Sequence, residues 1–221
     1  MNLLATIHNL RYAELAAMTW DKNRVLYAEK HGYAHCAKTD DFYGLAVGFE
    51  KIQFLSDLLE AHSDIDWILW TGTDSLITNF NIKIEQRISD THDVIMAGDF
   101  NFAINADVML VKNTHRSKQW LNAIMDRYDT YASHQYAEQQ CMLDIMPDWH
   151  DVVKLVPQRD INSYDYSLYA GPPWNYQDHR DVAGNDGQWQ PGDWIIQWPG
   201  TQMHERIELV KKYSSLIIEG D

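Results

Sequence analysis

The stretch Asp66–Phe80, DWILWTGTDSLITNF, carries an apolar run that stops at a small polar turn and delivers one carboxylate, Asp74. An acid just past a buried strand can hold a divalent cation bridging two phosphates, or accept hydrogen bonds from ribose or sugar hydroxyls. Thr73 and Asp74 are also common capping and turn residues, so spacing alone leaves both readings open. Asp99, in GDFNFAIN (98–105), follows a second apolar run and invites the same pair of readings. Lys51 sits on an otherwise apolar helical stretch, where a lysine is ordinarily a solvated head on a buried stem. Glu138-Gln139-Gln140 opens a helical segment, a place where acids and amides often act as caps. Tyr166, Tyr169, Trp174, Tyr176 and Trp189 could stack on a sugar ring or simply anchor a loop. His31 and His35 are four apart, but Gly32 breaks the helix that would align them for zinc. Cys36 and Cys141 lack any C-x-x-C context and read as small buried apolar residues.

The elements that must position these groups follow from periodicity. Leu3–Ile7 reads as a buried first strand, Tyr12–Lys30 as a helix stopping at His31-Gly32, and Tyr33–Cys36 as a second strand. Phe49–Ala61 has helical spacing. Asp66–Trp70, Val94–Ala97 and Asp107–Val111 read as strands. Ser117–Tyr131 and Ala137–Met146 read as helices, the latter stopping before Pro147, and Val152–Val156 as a strand. From Ser163 to Asp193 the pattern gives way to a long loop marked by Gly171-Pro172-Pro173 and Gly184-Asn185-Asp186-Gly187, and long loops in compact domains are often functional. Trp194–Trp198 and Glu205–Leu216 close the chain as strand and helix. Strands alternating with helices predict an α/β fold with an open, mostly parallel sheet, whose ligands sit at the carboxyl ends of the strands.

The chain has 221 residues, 45% hydrophobic and 23% charged, which suits one globular α/β domain spanning 1–221, or a catalytic domain cut from a longer protein. Its 18 basic and 32 acidic residues leave a net charge of −14, which argues against nucleic acid or anionic membrane as a partner. Two cysteines fit a reducing compartment. The opening MNLLATIHNLRYAEL lacks the basic n-region and long apolar stretch of a signal peptide, so a cytoplasmic protein without a membrane span is expected.

Several stretches resemble, in order, the family of fungal galactosyl- and mannosyltransferases of mannan synthesis and plant xyloglucan xylosyltransferases. They are NRVLYAEKHGY (23–33), FEKIQFLSDLL (49–59), WILWTGTDSLITNFNIKIE (67–85), NADVMLVKNTHRSKQWLNAI (105–124), EQQCMLDIM (138–146), LVPQRDINSYDY (155–166) and GDWIIQWPG (192–200). The resemblance implies a GT-A fold, a nucleotide-sugar donor (a UDP-sugar over a guanosine one), retaining transfer to a glycan or glycoprotein acceptor, and Mn2+ or Mg2+ on the donor diphosphate. It implies that the first strand and loop, including Thr6, His8 and Asn9, contact base and ribose. It also implies that Lys51, Thr73, Asp74, Asn105 and Arg206 bind the donor and that Asp99 lies near the donor sugar. Gln139 would stabilise charge at the anomeric carbon, with Glu138 holding donor or acceptor.

The chain departs from that family in three places. Gly72 stands where the first acid of the Asp-x-Asp motif belongs, with Asp74 on the second. Gln197 stands where a metal-binding histidine is usual. Asp107 stands where a small glycine is usual after Asn105. The expectation is a weakened metal site on Asp74, diphosphate and water, with His204 as a further ligand; the alternative is metal-free chemistry in which Lys51, Arg206 or Lys211 offsets the phosphate charge. A catalytically silent sugar- or nucleotide-binding domain is the rival reading. A glycoside hydrolase would need two opposed carboxylates, and no such pair stands out in the sequence.

Overall fold

The apolar runs become two sheets in the computed structural model, which describes residues 1–220. The larger is built from β1 (Asn2–Ile7), β2 (Ala34–Lys38), β3 (Trp67–Thr71), β5 (Val94–Ala97), β6 (Asn105–Lys112) and β7 (Val153–Val156). The smaller comprises β4 (Ser75–Ile77), β8 (Ser163–Tyr164) and β9 (Ile195–Gln197). Spatial order in the larger sheet is β2-β1-β3-β6-β5-β7, and in the smaller β4-β9-β8. All neighbours in the larger sheet run parallel except those of β6, which is antiparallel to both β3 and β5. The mostly parallel sheet is as expected. The second sheet is not: the strand expected over Trp194–Trp198 supplies β9, but β4 and β8, of three and two residues, are too short to show a period of two.

Reversal of β6 shapes the carboxyl edge of the sheet. Because β6 runs against β3, its start lies beside the end of β3, and Thr71 pairs with Val108. Residues at the beginning of β6 therefore meet those just after β3.

Both faces of the large sheet are covered, which is why its central strands read as unbroken apolar runs. One face packs on α3 (Val47–Ala61), α4 (His115–Met125) and α6 (Ala137–Ile145) through Phe49, Ile52, Leu55, Trp120, Leu121, Ile124 and Met142. Against the other lie α1 (Ala13–Ala16), a π-helical segment (Ala17–Arg24) and α2 (Val25–His31), with Trp20 and Tyr27 in the core. Gly32 ends α2 at φ 68°, in the left-handed region where glycine is least strained. The helix expected over Ser117–Tyr131 instead breaks after Met125 and resumes as α5 (Tyr128–Tyr131), which sets Tyr128 edge-on to Phe49 at 5.0 Å. Short α7 (Gln158–Ile161) precedes the small sheet, and α8 (Met203–Ser214) packs on it through Leu209, Val210 and Tyr213. Among the described residues no helix is long and apolar enough to cross a membrane.

Candidate active site

Asp74 lies in the turn between β3 and β4, and the neighbouring π-helical segment holds that turn in place. Thr19 Oγ1 donates to Thr73 O at 2.8 Å, and Asn23 exchanges bonds with Ile77 at 2.9 Å in both directions. Fully buried Arg24 donates to Gly72 O and to Ser75 O and Oγ. Burial draws the Arg24 guanidinium down to about 9, with Asp74 and Asp107 pulling it back up, so it is charged at neutral pH. A helix widened to the π form brings three polar side chains to one turn, and such segments concentrate at functional sites. Arg24 was not picked out from the sequence. The available signal was Asn23-Arg24 interrupting a helical face otherwise bound for the core.

Four side chains converge at the mouth of this turn. Arg206 Nη2 of α8 lies 2.9 Å from Asp74 Oδ2. Gln197 Nε2, at the end of β9, donates to Asp107 Oδ2 at 2.9 Å and to Asp74 Oδ1 at 3.3 Å. Its carbonyl accepts from Asn162 Nδ2 at 2.9 Å. Burial pushes the Asp74 carboxyl up to about 6; Arg206 pulls it down and neighbouring Asp107 pushes it up again. Lys51 forms the next cluster: its Nζ donates to Glu138 Oε1 at 2.8 Å and to Ala106 O at 2.7 Å, and lies 4.0 Å from Asp107 Oδ1. Lys51 is therefore a buried, paired cation rather than a solvated one. The Glu138 carboxylate fits because position 48 is glycine: a Cβ there would overlap it.

Gln139 Oε1 accepts from Ala106 N at 3.0 Å, so α6 and the start of β6 are joined beside Lys51. Asn105 donates to Tyr164 OH at 2.7 Å and accepts from Asp107 N at 2.9 Å. Asp99 caps its own turn, accepting from Asn101 N and Phe102 N at 2.7 and 2.6 Å. Burial pushes Asp99 up to about 6, opposed by those hydrogen bonds.

Three residues expected at the donor or the metal are placed less favourably. Thr6 is wholly buried and its hydroxyl donates to Thr71 O at 2.7 Å, which fastens β1 to β3 and takes it out of any groove. His204 is exposed on the first turn of α8, and it is Arg206, two residues further on, that meets Asp74. Lys211 is also exposed and pairs with Glu208 at 2.7 Å on its own helix. His8 and Asn9 do lie just past β1, where His8 Nδ1 is buried without a partner and Asn9 caps the following turn. Thr73 lies nearby, its hydroxyl 3.4 Å from Ile7 O.

The loop aromatics divide in two. Tyr166 and Tyr169 are core residues grouped with Phe100 and Tyr164, and Trp189 packs on Tyr213. Trp174, 38% exposed, and half-buried Tyr176 are left to offer a face to solvent. Shallow surface concavities of about 370 and 400 Å3 lie elsewhere, along Gln177–Asp186 and around Arg159 and Asp193. They hold no comparable convergence of buried polar groups.

The residues that remain fit a hard divalent cation in part. Two carboxylates converge on one point, which is oxygen chemistry suited to magnesium or manganese, ions that complete their shells with phosphate and water. An amide can present either end to them. Turning Gln197 and Asn162 over together keeps a hydrogen bond between them and points the Gln197 carbonyl at both acids.

Comparison with known proteins bears out the resemblance. The model of the galactosyl transferase GMA12/MNN10 family matches residues 8–95. An uncharacterized alpha-1,2-galactosyltransferase of Schizosaccharomyces pombe is 27% identical, over 90% of this chain and 60% of its own length. A second alpha-1,2-galactosyltransferase of that yeast is also 27% identical, over 71% of this chain and 52% of its own. Xyloglucan 6-xylosyltransferase 4 of Arabidopsis thaliana is 26% identical over 46% of the chain and 22% of its own length. The chain thus spans little more than half of the yeast relatives. Among solved structures, a glycosyltransferase involved in glycosylation of the major capsid of PBCV-1 superposes with TM-score 0.72 at 14% identity, covering 96% of this chain and 98% of that one. The galactosyltransferase LgtC superposes at 0.59 with 13% identity, over 98% and 95%. The fold is that of the GT-A glycosyltransferases.

Proposed function

We propose that this domain transfers a sugar from a nucleoside diphosphate, a uridine one in preference, to a glycan acceptor with retention at the anomeric carbon. The observation that carries the reading is the convergence of Asp74, Asp107, Gln197 and Arg206 at the carboxyl edge of β3, with Lys51 behind Asp107. Ligands of open α/β sheets bind at that edge. The galactosyltransferase and xylosyltransferase names of the relatives support it.

A divalent cation held by Asp74 and Asp107 would offset charge on the departing diphosphate. The chain's own residues supply the rest. Arg206 and Lys51 place positive charge beside the phosphates, where preorganised charge counts most. His8 and Asn9 border the base and ribose. In a front-face transfer, the bond from anomeric carbon to phosphate oxygen breaks and the acceptor oxygen bonds to the same face. The acceptor's proton passes to the departing phosphate oxygen. Gln139, its carbonyl fixed by Ala106 N–H, stands ready to stabilise positive charge on the ring with its remaining lone pair. Asp99 and Asn105 bind sugar hydroxyls, and Glu138, held by Lys51, lines the sugar's approach.

Calorimetric titration with UDP, UDP-sugars and GDP-mannose, each with and without manganese, tests this. Uridine nucleotide binding followed by turnover on a glycan acceptor, with the product's anomeric configuration read by NMR, is the expected result. No nucleotide binding would overturn the reading. Binding without turnover on any acceptor would favour the silent binding domain, a reading that draws on the Arg206–Asp74 ion pair, which already occupies one Asp74 oxygen.

A further inference from the structure

We propose that the acid pair of this site has been rebuilt by exchange across two strands: Asp107 of β6 supplies the carboxylate opposite Asp74, and Gly72 is the clearance that admits it. This deepens the proposed function and rests on it.

The register makes the exchange possible. Thr71 pairs with Val108, and Gly72 N donates to Asp107 O at 2.8 Å, so Gly72 and Asp107 face each other at the edge of the sheet. Side chains of directly opposed residues in an antiparallel pair share one face and come within a few ångströms of each other. A Cβ at position 72 would stand 2.6 Å from Asp107 Cγ and 2.9 Å from Oδ1. Only one of the two positions can carry a side chain while Asp107 stands where it does. Gly72 is not among the glycines with positive φ, so its backbone makes no demand for glycine. What this position requires is space.

Asp107 has only a long ion pair with a cation of the protein. Lys51 Nζ is 4.0 Å away and already donates to Glu138 and Ala106. The Asp107 side chain is 40% exposed, whereas that of Asp74 is 8% exposed and held by Arg206. The pair thus has one anchored acid and one acid open to a ligand, both aimed at the side-chain amide of Gln197. Reversal of that amide, with Asn162 turning over to keep their hydrogen bond, would complete a three-oxygen set for a divalent cation carrying a diphosphate. Phosphate and water fill the remaining positions.

The test is manganese binding, read from the free-ion EPR signal in the presence of UDP, together with UDP calorimetry with and without manganese. Asp107→Asn is isosteric and half solvent-facing, so its melting temperature should match the parent's. It should weaken manganese binding by at least about tenfold, a loss typical of disturbed metal sites. Gly72→Asp alone should do the same, by crowding Asp107. The double variant G72D/D107G, which returns the acid to the β3 side, should recover binding to within about threefold of the parent, less than 1 kcal/mol by the affinity relation. Manganese binding by Asp107→Asn equal to the parent's, or a double variant as weak as Asp107→Asn, overturns the exchange. UDP binding by the parent that is indifferent to manganese also overturns it while leaving the transferase reading standing; no binding of either UDP or GDP-mannose removes that reading and the exchange with it.

Discussion

Lys51 and Glu138 form a buried ion pair at 2.8 Å, with side chains 5% and 11% exposed, linking α3 to α6 across the start of β6. Removing one member of such a pair strands the other, whereas removing both together can be nearly neutral. Lys51→Met should therefore cost about 3 to 5 kcal/mol in urea unfolding. The double variant K51M/E138Q should recover much of that, a coupling that a double-mutant cycle reads directly. Equal and additive losses would mean that the two residues act separately.

Gly48 makes the same point from the other side of the pair. Its missing Cβ is the space that the Glu138 carboxylate occupies. Gly48→Ala should displace Glu138 from Lys51 and lower stability by about 1 to 3 kcal/mol, the usual range for overpacking. A melting temperature equal to the parent's would show that Glu138 moves aside freely.

Asp74→Asn keeps the shape of the turn but removes the charge that Arg206 meets at 2.9 Å. UDP affinity in manganese should fall by at least about tenfold, or 1.4 kcal/mol. Unchanged affinity would place the donor elsewhere.

The acid at position 99 gives a pH dependence with a definite sign. Burial raises the Asp99 carboxyl from its ordinary value to about 6, with Asp181 adding to the rise. Tyr164, Tyr166, Tyr169 and Tyr176 surround the same region, and each is pushed up in part by Asp99. The folded state holds the proton more tightly than the unfolded chain. This contribution is therefore present below about pH 4 and is lost as pH rises through about 6. Asp99→Asn keeps an oxygen for Asn101 N and Phe102 N and removes the titration. Its stability relative to the parent should rise between pH 4 and pH 7, by about 1 to 3 kcal/mol. Parallel melting curves across that range would contradict the assignment.

Trp174 is the loop aromatic most open to solvent, and it lies against Gly200 and edge-on to Phe100. Trp174→Ala should raise the acceptor KM about tenfold, or 1.4 kcal/mol, and leave UDP affinity unchanged. A change in UDP affinity alone would assign Trp174 to the donor side.

Much of the fold was legible because it rests on periodicity. Val94–Ala97 and the core face of α3 follow from apolar spacing, and Gly32 follows from the need for a left-handed stop. The short strands Ser75–Ile77 and Ser163–Tyr164 were not legible, since pairing rather than pattern defines them. The same limit applies to the site. Asp74 was visible as an acid after a buried strand, but Thr6 has the same surface chemistry and turned inward to fasten β1 to β3.

By itself the sequence determined an α/β chain, the helix and strand periods, and an acid carried past the end of β3, because these depend on neighbours in the chain. It also presented Gly72, Asp107 and Gln197 as three separate departures from a family pattern. Tertiary structure alone decided that they are one arrangement. The antiparallel run of β6 sets Asp107 against Gly72, and the pairing of β9 with β4, Gln197 opposite Ser75, brings Gln197 to both acids. Contact across strands depends on register and direction, which no local pattern encodes.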